Sequence, residues 1–251
     1  MRRWLLLTVL IVFAAAGATA QTDYFIGSQN TRHLGWSDTT PTKQQALAKV
    51  FVSNDINILQ EVMKDPNLPA VTPANYLARA TELMGPTTYK ERYAWIWKSA
   101  ITSTAGYEQY PSGSFDRPPC AIAFNFGGQW LWIVDFHAPF DSMKTPAEVS
   151  QLGAVFTYFA GDEPTTIGGD FNLWATDPAF NNLIGAGASQ IQPNDPTTIN
   201  SSGQYVNAYD HFAWNPNDLN VTNATREYLA DPKWWYDWVS DHAGIYIVVR
   251  R

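Results

Sequence analysis

Residues 130–137 read WLWIVDFH, an apolar run that ends at a histidine. Its β-branched and aromatic side chains predict a buried strand. Residues 165–172, TTIGGDFN, repeat this pattern and end in an aspartate and an asparagine. Between the two runs, apolar residues recur at helical spacing from Thr145 until Gly161. The stretch therefore predicts a strand, a helix and a second strand, with polar side chains following each strand.

Segments of the same two kinds continue along the chain. Further apolar or alternating runs predict strands at INILQEV (56–62), YAWIWKS (93–99), AIAFNF (121–126) and GIYIVV (244–249). A capping residue followed by proline predicts helix starts at Thr40-Pro41, Thr72-Pro73, Thr145-Pro146 and Asp177-Pro178. Gly85 and Gly185 are expected to end two of these helices. The order predicts a mixed α/β domain in which helices cover sheets.

Two local features refine this assignment. Thr145 has Glu148 three residues later, the spacing of a capping box. Two polar stretches rich in Pro, Asn and Gly, about 103–119 and 186–232, predict long loops. Loops of that length in a compact domain are usually functional or mobile.

The first twenty residues are expected to be an export signal. A basic head, a short apolar run and Ala18-Thr19-Ala20 are typical of a secretory signal peptide, with cleavage after Ala20. The apolar run is too short to cross a bilayer as a helix, which favours export over a membrane anchor. We therefore expect a secreted or periplasmic protein whose mature part, residues 21–251, forms one domain, although its length also allows two.

Composition narrows the function. Loss of Arg2 and Arg3 with the signal peptide changes the formal charge from −7 to −9, so the chain is not expected to bind nucleic acid by an extended basic surface. Phosphate chemistry would then need bound cations and a few local arginines. Cys120 is the only cysteine, which excludes an internal disulfide. Stability must come from a large core, for which 11 Trp, 12 Tyr and 13 Phe offer ample apolar area.

Polar residues capable of chemistry lie at the ends of the predicted strands. Each of them has a structural alternative, and Ser240-Asp241-His242 taken alone would be a polar turn before the last strand. Together they place two histidines with carboxylates and carboxamides on a framework with only 16% charged residues. The set comprises Asn30, Glu61, His137, Asp170, Asn172, Asp210, Asp241 and His242.

This set of residue types indicates metal-assisted hydrolysis. Carboxylate and carbonyl oxygens suit hard divalent cations, and histidine suits proton transfer near neutral pH. The sequence has neither a thiolate pair nor a His-rich zinc spacing, which favours Mg²⁺ or Mn²⁺ over zinc and leaves Ca²⁺ as a further alternative. A serine-hydrolase site fits poorly, because no G-x-S-x-G elbow occurs.

The ordered motifs resemble those of the endonuclease/exonuclease/phosphatase superfamily, and most closely the secreted deoxyribonucleases I. The motifs are an Asn on the first strand, Q-E, a His after a middle strand, G-D-F-N, Y-D and S-D-H, with YKERY at 89–93 and FDRPPCAIAF at 115–124 in addition. The similarity covers nearly all of the mature chain. It implies one catalytic domain over 21–251 with an α/β fold, a four-layer sandwich of two packed mixed β-sheets flanked by helices.

The resemblance also implies roles for the two histidines. His242, paired with Asp210, would accept a proton from the attacking water. His137, paired with Glu91, would give a proton to the leaving oxygen. In-line attack on a phosphodiester needs both transfers, which accounts for two histidines that are each tied to a carboxylate.

The remaining roles concern the metal and the substrate. Glu61, helped by Asn30, would hold the divalent ion, with Asp241 as a nearby carboxylate of the metal site. Asp170 and Asn172 would orient the water and the phosphate. Contacts to phosphates of the substrate are implied for Arg117, Arg32 and Tyr89, and more weakly for Asn207. The metal and the arginine would offset the charge that develops on the phosphoryl oxygens.

The implied activity is a metal-dependent endonuclease that cuts DNA with little sequence preference, with no stable protein partner. One departure concerns Met63, which occupies the position after Q-E-V where the secreted deoxyribonucleases place a groove-binding arginine. The main alternative is a phosphomonoesterase or a phospholipid phosphodiesterase on the same catalytic core, and a membrane surface would be a partner only then. PKWWYDWV (232–239) supports that alternative if its aromatics are exposed, and not if they pack in the core. A toxin subunit and a binding-only pseudoenzyme are further alternatives.

Overall fold

The strands of the computed structural model form two sheets. The structure describes residues 21–37, 39–64, 67–86, 89–161 and 163–251, so the predicted signal peptide lies outside the described residues. The strands are β1 (Asp23–Leu34), β2 (Ile56–Val62), β3 (Tyr76–Ala80), β4 (Arg92–Lys98), β5 (Thr102–Ser103), β6 (Glu108–Gln109), β7 (Cys120–Phe126), β8 (Gln129–His137), β9 (Thr165–Asp170), β10 (Gln190–Gln192), β11 (Asp210–Trp214), β12 (Val221–Arg226) and β13 (Ile245–Arg250). The helices are α1 (Pro41–Phe51), α2 (Leu68–Val71), α3 (Lys144–Val149), α4 (Leu152–Phe159), α5 (Asn181–Gly185) and α6 (Pro232–Trp238), with a 3-10 helix at Pro178–Phe180.

Both sheets are mixed, and each contains a parallel pair at its centre. The first sheet has the order β12-β13-β1-β2-β4-β3, with β1 parallel to β2. The second has the order β10-β11-β9-β8-β7-β5, with β8 parallel to β9 and β6 paired to β7. Helix α1 connects the first parallel pair, and α3 with α4 connects the second. Parallel neighbours need such crossovers, which is why helices cover the outer faces.

The core is stacked in layers. Between the sheets, side chains of the first sheet such as Ile58 and Trp95 pack against Ile133 and Phe212 of the second. A second cluster lies between the second sheet and α4, and a third between the first sheet and α1, α2 and α6. This arrangement confirms the predicted four-layer α/β sandwich. Among the described residues, we find no helix with the length and hydropathy needed to cross a membrane.

Most of the predicted elements are present. β2 matches its predicted range, and β4, β7, β8, β9 and β13 match theirs to within one or two residues at each end. Thr40 caps α1, since its hydroxyl accepts a hydrogen bond from the Lys43 amide at 3.2 Å. Asp177 likewise caps the 3-10 helix through the Ala179 amide at 2.8 Å, and α5 ends at Gly185 as expected.

The helix predicted from Thr72-Pro73 to Gly85 is wrong. Thr72 instead follows the last residue of the short α2, and its hydroxyl donates to the Leu68 carbonyl at 2.8 Å. The chain then turns at Asn75, which has φ +65°, and continues as β3. Pairing of β3 with β4 gives these backbone groups their partners, so tertiary pairing overrides the capping signal.

The capping box at Thr145 is also wrong. Helix α3 begins at Lys144, two residues before the predicted first helical residue Pro146, and the Asp141 side chain accepts hydrogen bonds from the Met143 and Lys144 amides, both at 2.9 Å. Glu148 instead accepts a hydrogen bond from the Asp116 amide at 2.7 Å. The helix then breaks before α4, although the predicted apolar face is buried on both sides of the break.

The stretch 186–232 is not one long loop. It contains β10, β11 and β12, and β11 is buried along its whole length against β9. Its sequence, DHFAW, is short and begins with two polar residues, so it resembles a loop when taken alone. The stretch also ends at Asp231, whose side chain caps α6 through the Trp234 amide at 2.9 Å.

Candidate active site

The topology brings the predicted polar residues to one end of the sandwich. The carboxyl-terminal parts of the parallel strands lie there, and they carry Asn30 and Glu61 on the first sheet and His137 and Asp170 on the second. Antiparallel neighbours must begin where those strands end. Residues at or just before the start of β4, β7, β11 and β13 therefore reach the same end, and these are Glu91, Arg117, Asp210 and His242.

A cavity of about 730 Å³ opens at this end. Of the residues expected at the site, those that line the cavity are Arg32, Glu61, Tyr89, Arg117, His137, Asp170, Asn172, Asn207, Asp241 and His242. Asn30, Glu91 and Asp210 lie behind this lining and hydrogen bond to it. All the predicted site residues are thus brought together, in an inner and an outer layer.

His242 is held by a buried carboxylate. Its Nδ1 lies 2.8 Å from Asp210 Oδ2, so its Nε2 faces the cavity. The Ser240 hydroxyl accepts a hydrogen bond from the His242 amide at 3.1 Å and donates to the Asn30 carbonyl at 2.8 Å. Burial lowers the pKa of His242, but the carboxylates of Asp210 and Asp170 outweigh burial and raise it well above its ordinary value. The Ser-Asp-His turn is therefore part of the site.

His137 has the same arrangement on the other side. Its Nδ1 lies 2.6 Å from Glu91 Oε1, and Arg117 donates to the His137 carbonyl from Nε and Nη2, both at 3.1 Å. The Tyr93 hydroxyl accepts a hydrogen bond from the His137 amide at 3.0 Å. Burial lowers the pKa of His137, but the Glu91 charge outweighs it and the pKa is raised. The ring and the backbone of His137 are thus both fixed in position.

Asp170 lies between the two histidines. The Nε2 atoms of His137 and His242 are each 3.6 Å from the same oxygen, Oδ2 of Asp170. That oxygen also accepts a hydrogen bond from Asn30 Nδ2 at 3.0 Å, and Oδ1 accepts one from the Asn172 amide at 3.0 Å. Burial raises the pKa of Asp170 to about 6, and the histidines oppose this rise. The Nε2 atoms of both imidazoles thus lie close to the same carboxylate oxygen.

Glu61 is fixed from two directions. Its backbone has φ +58°, which is uncommon for a residue other than glycine. Asn30 Nδ2 donates to its Oε1 at 3.1 Å, and the His33 amide donates to its Oε2 at 3.0 Å. The Asn30 side-chain oxygen is occupied by the Arg32 amide at 2.9 Å. In this arrangement Asn30 presents its nitrogen to both carboxylates, so it orients Glu61 and Asp170 towards the cavity.

The donor atoms fit a hard divalent cation. Among the described residues, two groups could hold an ion, Glu61 with Glu91 and His137, and Asp170 with Asp210 and His242. In the first group, Glu91 Oε2 is buried without a hydrogen-bond partner, and Glu61 borders the cavity. Carboxylate oxygens of this kind suit Mg²⁺, Mn²⁺ or Ca²⁺. Asp241 belongs to neither group, since it lies at the rim, 3.9 Å from Arg32 Nε.

The residues expected to bind phosphate differ in how strongly other groups of the protein already engage them. Arg117 is buried and forms an ion pair with Glu91 at 3.3 Å, so much of its charge is already compensated. Arg32 donates to the Tyr236 carbonyl at 2.6 Å, and its guanidinium carbon lies 4.9 Å from the centre of the Tyr236 ring. Asn207 forms backbone hydrogen bonds to Thr198. Burial raises the pKa of the Tyr89 hydroxyl, which keeps it a hydrogen-bond donor.

His33 and Tyr93 belong to the site but were not predicted from the sequence, and Met63 does not lie where the sequence placed it. His33 lines the cavity with Nε2 3.2 Å from Glu61 Oε2, and Tyr93 holds the His137 amide. The sequence signal that could have identified His33 is a histidine on the same strand as Asn30 and close to it. Met63 is only 4% exposed, so it is a core residue and not a groove contact in place of an arginine.

Two curated proteins with deoxyribonuclease names are similar to this chain in sequence. A "Deoxyribonuclease" of Thioalkalivibrio sp. (strain K90mix) is 26% identical, covering 99% of this chain and 76% of that protein. "Deoxyribonuclease-1-like 2" of Mus musculus is 27% identical, covering 61% of this chain, and the match spans 59% of the mouse protein.

Solved structures share the fold at lower identity. D. rerio TDP2 complexed with single strand DNA product has a TM-score of 0.66 at 17% identity, covering 91% of this chain and 99% of that one. An endonuclease/exonuclease/phosphatase from Bacteroides vulgatus has a TM-score of 0.68 at 13% identity, covering 91% of this chain and 98% of that one. The model of the Endonuclease/Exonuclease/phosphatase family matches residues 27–242, and the chain belongs to this family of hydrolases.

Proposed function

We propose that this protein is a divalent-metal-dependent endonuclease that hydrolyses phosphodiester bonds of DNA with low sequence specificity. The observation that carries the proposal is the pair of histidines whose Nε2 atoms flank one oxygen of Asp170 at equal distances of 3.6 Å. Hydrolysis of a phosphodiester needs a base on the attacking side and an acid on the leaving side. The names of the deoxyribonuclease relatives support DNA as the substrate.

In this proposal His242 accepts the proton of the attacking water at Nε2. Asp210 keeps Nδ1 protonated and compensates the charge that the ring gains. His137, held by Glu91 in the same way, donates its Nε2 proton to the leaving oxygen. Asp170 accepts hydrogen bonds from Asn30 and Asn172, and it orients the water between the two rings.

We propose that the cation binds at Glu61, with Mg²⁺ or Mn²⁺ as the preferred ion. When bound, the cation offsets the negative charge that develops on the phosphoryl oxygens. Asn30 and the His33 amide hold both oxygens of Glu61 in a fixed orientation, which reduces the entropy lost on binding. Arg117 and Arg32 line the cavity where the substrate phosphate would lie, and the charge of Arg117 is partly compensated by Glu91.

A phospholipid phosphodiesterase is the second candidate. The observation that favours it is the exposure of Trp234 (41%) and Trp238 (52%), which lie four residues apart on α6. Exposed tryptophans favour membrane interfaces. Trp235, in contrast, is buried and donates from Nε1 to the His242 carbonyl at 2.8 Å, so it supports the site itself.

A substrate panel tests the proposal. Purified protein is mixed in Mg²⁺ with supercoiled plasmid DNA, an RNA and phosphatidylcholine vesicles, beside a His242→Ala variant as a control for contaminating enzymes. We expect nicking of the plasmid by the wild type alone. Turnover of the vesicles with an intact plasmid would instead establish the second candidate.

We further propose that the protein is exported, with its mature chain beginning at Gln21. The Thr22 amide pairs with the Arg251 carbonyl at 2.8 Å, and cleavage after Ala20 leaves this contact intact. Mass spectrometry of the exported protein tests the proposal, since a retained residue 1 would contradict it.

A further inference from the structure

Three aromatic side chains form a platform next to Glu61. His33 stacks on Trp36, with ring centres 4.4 Å apart and ring planes inclined by 23°. Tyr89 meets both rings by its edge, at 5.8 Å from His33 and 5.9 Å from Trp36. His33 covers one face of Trp36, yet the indole is 43% exposed. The platform, defined as His33, Trp36 and Tyr89, therefore leaves part of Trp36 open to solvent.

The platform is anchored to the catalytic cavity. His33 and Tyr89 both line that cavity, and His33 contacts Glu61 through its backbone amide and through Nε2 at 3.2 Å. The backbone of Arg32 has φ +46° and that of His33 φ +61°, two consecutive left-handed residues that are not glycine. Such conformations persist when the surroundings hold them in place. The platform thus adjoins Glu61 through His33.

The position after Q-E-V carries no side chain that could contact a groove of duplex DNA. Met63, which follows Q-E-V, is buried and does not reach a groove. Arg117 is compensated by Glu91, and the chain has a net charge of −7. Affinity for the substrate must therefore come from contacts that do not depend on an extended cationic surface. Stacking of a base on an aromatic ring is such a contact.

We propose that the platform stacks an unpaired base next to the scissile phosphate, so that the enzyme acts preferentially on single-stranded or locally unpaired DNA. This inference rests on the proposed nuclease function. In a duplex both faces of each base are covered by its neighbours, and a base must leave the stack before an aromatic side chain can reach its face. All four bases offer an aromatic face, so the preference is for unpaired structure and not for sequence.

Cleavage rates of matched substrates test the inference. One oligonucleotide with a single cleavable phosphodiester is measured as a single strand and as a duplex. The expected ratio of the two rates exceeds one in the wild type. It falls about tenfold in Trp36→Ala, in line with the loss of one stacked base, and it is largely retained in Trp36→Phe. The matched control is Trp234→Ala, which removes an equally exposed tryptophan away from the cavity and should leave the ratio unchanged.

A change in the substrate guards against misfolded variants. The base on either side of the scissile phosphate is replaced in turn by an abasic residue. At one of the two positions, the wild type should lose about tenfold on the single strand, whereas Trp36→Ala should lose nothing further. A wild-type ratio at or below one, or abasic losses that are equal in both proteins, would overturn the inference while leaving the nuclease function intact. Absence of cleavage of any DNA by the wild type would overturn both.

Discussion

Replacement of Asp210 by asparagine is expected to move the pH dependence of catalysis to lower pH. The Asp210 carboxylate lies 2.8 Å from Nδ1 of His242, and both side chains are buried. An opposite charge at such a distance typically raises the pKa of a histidine by roughly 1–3 units. Since the base must be neutral to accept a proton, the acidic limb of kcat/KM reports the pKa of His242. Asp210→Asn should therefore lower that limb by roughly 2 pH units.

The rate itself should also fall. Asparagine keeps the size of the side chain, but it neither compensates the imidazolium nor reliably holds Nδ1 protonated, and the comparable change in a Ser-His-Asp triad costs on the order of 10⁴ in kcat. Asp116→Asn is the matched control, since Asp116 lines the same cavity and pairs with Lys144 at 3.0 Å. Rates are measured on plasmid DNA from pH 5 to pH 9. An acidic limb that stays in place or moves to higher pH in Asp210→Asn would refute the assignment of His242 as the base.

Three further predictions concern single side chains. Glu61→Gln should raise the Mg²⁺ concentration needed for half-maximal activity by at least tenfold with an unchanged melting temperature; an unchanged requirement would remove Glu61 from the metal site. His137→Ala and His242→Ala should each cost at least about 10², and the double variant much less than the product of the two losses; small, multiplicative losses in single-turnover rates would make both histidines structural. Met63→Arg should lower the free energy of unfolding by roughly 2–4 kcal/mol, because it places a charge where the side chain is 4% exposed, with no gain in duplex affinity; an unchanged denaturant midpoint would contradict the burial of Met63.

The positions of the site residues followed from the sequence because strand ends carry them. Apolar runs identify β8 and β9, and the polar residues after them, His137 and Asp170, pair in register at the sheet end. Parallel pairing then aligns these ends without further information. The fold and the approximate cluster could thus be predicted from local patterns.

The finer geometry depends on contacts between distant parts of the chain. The orientation of the Asn30 amide is set by the Arg32 amide, and the burial of Met63 by the surrounding core. Helix starts were mispredicted for the same reason, since pairing of β3 with β4 outweighs the signal at Thr72. Local propensities are weak compared with such tertiary contacts.

The division of labour between the two histidines can be tested with one altered substrate. In an oligonucleotide whose leaving oxygen is replaced by sulfur, the leaving thiolate departs without a proton, so a general acid is no longer needed. We expect His137→Ala to cleave this substrate within about tenfold of the wild-type rate, whereas His242→Ala should keep its full loss of at least about 10². Equal losses of the two variants on both substrates would contradict the assignment of His137 as the acid and His242 as the base.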